Sequence, residues 1–261
     1  MQKLLVGGAA ALGALLAVGA ASAADLPARK GPILAPAYAP IFSWTGFYAG
    51  LNAGYSFNNN KAVTTGTPGF LALGPTNVPG SLGVGKNGFI GGAQVGYNQQ
   101  YGQFVVGAEA DIQYVDGKRG RAFTNPVTLG GLTTAAGSEL NYLGTVRARL
   151  GYTASDRLLI YVTGGLAYGN PKNTGTVLAA GPGAQWAGSN NTTRFGYTIG
   201  AGAEYALTNN WTAKLEYLYY DLGKQTVTAN QFAGAALPGI AYQARYENSG
   251  SLVRAGVNYK F

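Results

Sequence analysis

Nine charged residues sit where strand periodicity would gather them on a single surface. Glu109 and Asp111, Arg147 and Arg149, and Lys214 and Glu216 are each two positions apart, and Glu204, Arg254 and Lys260 interrupt similar alternations. Side chains two apart in a strand share a face. Carboxylates and cations gathered in this way could do two things: line an ion pathway, or pair into a salt-bridged polar core. Four acids and five bases nearly balance, and an unpaired buried charge is expensive, so opposite charges are expected to pair.

Other chemistries are short of ligands. Histidine and cysteine are absent. That removes the side chain best suited to general-base work at neutral pH and the thiolate and imidazole ligands of structural metals. Catalysis is therefore not expected, nor is a metal or cofactor. Haem would need a tyrosine as axial ligand, because Met1 is the sole methionine; Tyr242 and Tyr246 are the candidates. The glycine-rich runs at residues 83–88 and 200–204 precede no helical pattern and are not nucleotide loops.

The elements that must position these charges alternate with period two. Residues 46–57, 88–98, 104–114, 140–152, 158–169, 195–207, 211–221 and 249–261 each read apolar on one side and polar on the other. In the last, Val253, Ala255, Val257, Tyr259 and Phe261 oppose Leu252, Arg254, Gly256, Asn258 and Lys260. Connectors alternate in length: residues 99–103, 153–157 and 208–210 are short, whereas 58–87, 115–139, 170–194 and 222–248 are long and rich in Gly, Asn and Thr. Short turns on one side and long loops on the other are the asymmetry of bacterial outer-membrane barrels. A soluble β-sandwich would not explain charges gathered on the face opposite the apolar one.

Composition agrees. Charged residues are 11% of the chain, against 42 Gly and 18 Tyr; soluble domains carry about 25% charged residues. Residues 1–23 read as a cleaved signal peptide, with Lys3, a small apolar run and Ala21-Ser22-Ala23 as the cleavage site. Residues 24–43 hold four prolines and no periodicity, so an extended periplasmic segment is expected. Residues 44–261 form the barrel domain. The net charge of +8 forms no strong patch, so nucleic acid is not an expected partner. Trp44, Trp211 and the strand-end tyrosines read as interfacial belts. Lys118, Arg119 and Arg121 could meet lipopolysaccharide phosphates.

WTGFYAGLNAGYSF at residues 44–57, FIGGAQVGYNQQYGQFVVGAEADIQY at 89–114, NYLGTVRARLGY at 141–152, LLIYVTGGLAYG at 158–169 and NNWTAKLEYLYYDLG at 209–223 carry a resemblance. The chain resembles the small outer-membrane β-barrel proteins of alphaproteobacteria. These are outer-membrane immunogenic or opacity-porin-like proteins with haemin-binding relatives, more distantly similar to the OmpA membrane domain. The resemblance implies an all-β fold: an eight-stranded antiparallel up-and-down transmembrane β-barrel with four long outer loops, in the cell outer membrane. It also implies an assembly signal at Val257, Tyr259 and Phe261. Expected partners are outer-membrane lipid, lipopolysaccharide and the barrel assembly machinery. The expected role is structural, in envelope integrity and surface presentation; a narrow porin and a loop-mediated haemin receptor or adhesin are the alternatives, since relatives share strands and differ in loops.

Overall fold

A computed structural model of the chain describes residues 42–58, 60–71, 80–85, 87–116, 118–125, 132–179, 185–234 and 240–261. The expected signal peptide and residues 24–41 lie outside the described residues. The described elements are β1 (Gly46–Phe57), β2 (Lys61–Gly66), α1 (Pro68–Leu71), β3 (Ser81–Gly83), β4 (Gly88–Tyr101), β5 (Phe104–Val115), β6 (Lys118–Asn125), β7 (Leu132–Ser155), β8 (Leu158–Ala179), β9 (Gln185–Asn191), β10 (Arg194–Ala206), β11 (Trp211–Ala233) and β12 (Tyr242–Lys260).

All pairings are antiparallel. β1 pairs with β4, β4 with β5, β5 with β7, β7 with β8, β8 with β10, β10 with β11, β11 with β12, and β12 returns to β1. The circuit of pairings closes, so along it no strand presents an open edge.

Each expected span overlaps a described strand, but the described residues form twelve strands rather than the expected eight. β7, β8 and β11 run to 24, 22 and 23 residues, well beyond the expected spans. Together with β2, β3, β6 and β9 they turn much of the expected loop sequence into a sheet extension beyond the circuit. Thr, Val and Ala still alternate there, as in TGTVLA and KQTVTA, and such residues suit strands.

Straight alternation fails at two β-bulges inside long strands, besides register shifts near the ends of β7 and β11. In β7 the register shifts between Leu140 and Leu143. In β11 it shifts between Asp221 and Lys224. Each adds one residue, so the inward set changes parity. On β11, Leu218, Tyr220 and Leu222 face inward before the bulge, and Gln225, Val227 and Ala229 after it. Gly223 has φ +78°, and a Cβ there would touch nothing within 4 Å. Gly223→Ala is therefore expected to cost only the backbone penalty, about 1–2 kcal/mol, as read from urea unfolding in lipid vesicles.

The outward face is apolar. Leu51, Val95, Ile112, Val146, Leu166, Ile199 and Leu215 stand 53–70% exposed. Aromatics border this band at both ends. Phe47–Tyr97, Phe104–Tyr152 and Trp211–Tyr259 pair at one end, and Tyr55–Phe89 and Tyr197–Tyr219 at the other. A continuous apolar surface of this extent is unsustainable in water and suits lipid, with aromatics at the interfaces.

The inward face is layered. Phe42, Trp44, Val105, Leu159 and Tyr161 fill the end nearest the short turns. Above them lies a charged layer, then Ile90, Val115, Leu143, Leu218, Leu222 and Leu252. Asn173, Gln225 and Asn248 follow, hydrogen-bonded to one another through the Asn173 amide. The extension encloses a further core around Val177, Trp186, Tyr242 and Tyr246.

Candidate functional site

The charged layer is built by register. Glu109 on β5 lies opposite Arg147 on β7. Glu204 on β10 lies opposite Lys214 on β11. Glu216 on β11 lies opposite Arg254 on β12. Each of these three strand pairs thus contributes opposite signs, which is the favourable cross-strand arrangement. Closure of the circuit then brings these pairs together.

Arg147 is the hub. Its Nη1 donates to Glu216 Oε1 at 2.9 Å and its Nη2 to Asp111 Oδ2 at 2.9 Å; Nη2 also contacts Glu109. Arg254 donates through Nε to Glu216 Oε2 at 2.7 Å and through Nη2 to Asp111 Oδ2 at 3.0 Å. Lys214 Nζ donates to both Glu109 oxygens, at 2.9 and 2.8 Å. Arg149 pairs with Glu204 and stacks over the Tyr161 ring at 3.6 Å. Remaining carboxylate lone pairs are met by neutral donors: Tyr48 to Glu109 at 2.8 Å, Thr145 to Asp111 at 2.7 Å, Thr212 and Asn258 to Glu204 at 2.5 and 2.8 Å. None of the eight charged residues is more than 5% exposed. Four carboxylates face four cations, so the layer is neutral as a whole.

Glycines make room for its largest members. A Cβ on Gly96 would lie 2.3 Å from the Tyr48 hydroxyl, and one on Gly202 2.6 Å from that of Tyr161. Sequence reading missed Tyr48, Asn258 and Thr212 as members, although their inward parity on β1, β12 and β11 marked them.

Two expectations are corrected. Lys260 does not join the network: its Nζ donates to the Ser43 carbonyl at 2.6 Å and lies 4.8 Å from the Phe42 ring. It stands opposite Tyr48, at the end of β12, where its long stem reaches the mouth. Arg149 faces Gly107 and pairs by reaching across the interior to Glu204. Trp44 is not interfacial: it is 2% exposed and packs edge-on against Phe42 inside the circuit. Trp211, at 47% exposed, does lie on the outward face.

Outside the charged layer the candidate ligands are poorly placed. Tyr242 and Tyr246 are 1% and 0% exposed. Tyr246 donates to the Thr174 carbonyl at 2.5 Å, and burial pushes both phenols above their ordinary pKa. Neither is presented to a haem iron. Among the described residues no cluster of three or more acidic side chains could hold a metal ion. Val257, Tyr259 and Phe261 face outward at 44%, 37% and 74% exposed. Arg121 on β6 is exposed; the side chains of Lys118 and Arg119 lie outside the described set.

The model of the outer membrane protein beta-barrel domain matches residues 10–261. The chain belongs to that family. It is 40% identical to the 31 kDa outer-membrane immunogenic protein of Brucella melitensis over 237 residues, 87% of this chain and 88% of that one. It is 30% identical to the 25 kDa outer-membrane immunogenic protein of Brucella abortus over 242 residues, 92% of this chain and 91% of that one. Among solved structures, the outer membrane protein OprG of Pseudomonas aeruginosa aligns with a TM-score of 0.50 at 12% identity, covering 83% of this chain and 96% of that one. At that identity the likeness speaks for the fold alone. Family membership places the chain in the cell outer membrane. It also gives the apolar outward band its solvent, since in lipid every strand must find its backbone partners within the sheet.

Proposed function

We propose that the chain is an eight-stranded up-and-down transmembrane barrel, closed along its axis, that acts as a structural and surface-displayed protein of the outer membrane. It is proposed to be neither a porin nor an enzyme. The strands on the closed circuit of pairings are the eight spans, and the four connections carrying β2, β3, β6, β9 and the distal strand ends face the cell exterior. The short turns, such as the one between β4 and β5, face the periplasm, following the usual asymmetry. Residues 1–23 are proposed as the export signal. Val257, Tyr259 and Phe261, displayed outward, are proposed as the surface read by the assembly machinery.

The observation that carries this reading is the neutral charged layer held between two apolar ones. A conducting lumen needs a continuous wetted path. Here an ion would have to pass the Phe42–Trp44 layer, break a buried salt-bridge network and then cross the Leu143–Leu252 layer. A cavity beside Asn58, Tyr220, Leu222 and Asn248 has a volume of about 30 Å³, enough for about two waters and not for a channel. Paired carboxylates saturated by arginines also leave no free base, which supports the non-enzymatic reading.

Planar-bilayer recording of the refolded full chain is expected to show no discrete conductance steps between pH 5 and 8. Reproducible single-channel steps would overturn the closed-barrel reading in favour of a narrow porin.

A further inference from the structure

Beyond the closed circuit the wall stays open. The extension runs in the order β6, β7, β8, β9, β11, β12, β2, β3, each strand antiparallel to the next. Its two ends, β6 and β3, come near one another, but among the described residues they do not pair. A sheet that does not close leaves two edges, each with a row of unpaired backbone N–H and C=O groups.

The two edges differ. β3 has three residues, and so short an edge offers little to a partner. β6 has eight, in unbroken register with β7 from Lys118 opposite Glu139 to Asn125 opposite Leu132, and it contains no proline. β3 is too short to cover it. Exposure marks the open stretch. Arg121, Ala122, Phe123 and Thr124 are all exposed, on both faces of the strand. Across from Phe123 and Arg121 on β7, Thr134 and Ala136 are buried.

The edge is also charged in one sense. Lys118 stands opposite Glu139, but Arg119 stands opposite Ser138 and Arg121 opposite Ala136. Neither arginine position meets a carboxylate across the ladder. Arg119, Arg121 and Phe123 share one parity. Two copies of this edge would bring cations together, which is how many edge strands discourage self-pairing. An incoming strand with carboxylates at alternate positions would instead set opposite charges side by side, which is favourable.

We propose that the free edge of β6 takes up an extended acidic segment of another protein as an added strand. One apolar residue lies beside Phe123, and two carboxylates at successive alternate positions lie beside Arg121 and Arg119. In this mode main-chain hydrogen bonds supply affinity and alternate side chains supply selectivity. The site goes beyond the surface-display reading, and only the partner's location outside the cell rests on that reading's orientation.

The full chain, refolded in neutral detergent micelles and verified by heat-modifiable migration, is titrated with fluorescent acetyl-TVTETET-amide. Laid antiparallel, its valine stands beside Phe123 and its glutamates beside Arg121 and Arg119. The isomer TVTTEET, of equal charge, splits the glutamates between two faces and is expected to bind about fivefold more weakly. Arg119→Ser with Arg121→Ser is expected to weaken TVTETET by about tenfold. Lys224→Gln with Arg245→Gln, which removes equal charge elsewhere, should change it by less than about twofold. N-methylation of alternate peptide amides separates strand pairing from charge attraction. One alternate set should cost about tenfold or more, because its N–H groups face β6, and the other about twofold at most. Failure of TVTETET to bind would overturn the proposal, as would equal affinity for the isomer, equal losses from the two methylated sets or equal losses in the two double variants. A barrel that conducts yet keeps the asymmetry between methylated sets would defeat the closed-lumen reading and leave the edge site standing.

Discussion

Arg147→Met is expected to lower the unfolding free energy by about 3–5 kcal/mol in urea titrations with lipid vesicles. Methionine keeps most of the volume, so the loss isolates charge. Glu109, Asp111 and Glu216 would then share Arg254 and Lys214 alone, and the layer would carry one uncompensated negative charge. At no more than 5% exposure on every member, water cannot screen it. Removing one partner of a buried pair costs more than removing both, because the orphaned charge bears the desolvation penalty. Asp111→Asn added to Arg147→Met restores neutrality, and the remaining carbonyl oxygen keeps one neutral donor, Gln113 at the Oδ1 position or Thr145 at the Oδ2 position. The double variant is therefore expected to recover about 1–3 kcal/mol. The exposed Lys224–Glu247 pair sets the contrasting scale: its loss should cost about 0–1 kcal/mol. If Arg147→Met costs no more than that, the lumen is hydrated and the closed-barrel reading fails.

Much of this site could be read from period-two alternation. β1 matches its expected span, and β5 and β10 differ from theirs by a residue or so at their ends. All the charges placed inward except Lys260 are buried in one layer. Alternation gives the face of a residue, however, and not its partner across a closed interior. Glu109 and Lys214 are 105 positions apart, and only the return of β12 to β1 sets their approach. The outer extension was hidden for two reasons. Its Gly, Asn and Thr content looks like loop, and the bulges at Leu140 and Gly223 reverse the inward parity, so no single alternation runs through β7 or β11. Tyr242 and Tyr246 then read as loop tyrosines, although an unbroken alternation from Arg254 back along β12 places both inward. Trp44 was misplaced because a tryptophan at the edge of a membrane strand normally sits at the interface. It precedes β1, where the chain has not yet joined the strand alternation, and it turns into the barrel mouth.

Trp44→Ala tests that last difference, and it is expected to cost about 3–5 kcal/mol. The indole is 2% exposed and lies 4.8 Å from the Phe42 ring, centroid to centroid, at 78°. Its Nε1 has no acceptor among the described residues, so the loss is packing and not a hydrogen bond. The backbone around it is held independently. Trp44 N donates to Gln100 Oε1 at 2.9 Å, and Gln100 N donates to Thr45 Oγ1 at 3.0 Å, so the alanine variant retains its path into β1 and leaves a cavity. Trp211→Ala removes the same side chain from the lipid-facing belt, where it is 47% exposed, and should cost clearly less. An interfacial Trp44 would reverse that order. The same variant also probes closure. Without the indole, the apolar layer at the end nearest the short turns is breached, but the charged layer and the Leu143–Leu252 layer remain. Trp44→Ala should therefore be less stable and still electrically silent in planar bilayers. Discrete conductance in this variant would make the Phe42–Trp44 layer the sole barrier and the charged layer a wetted gate.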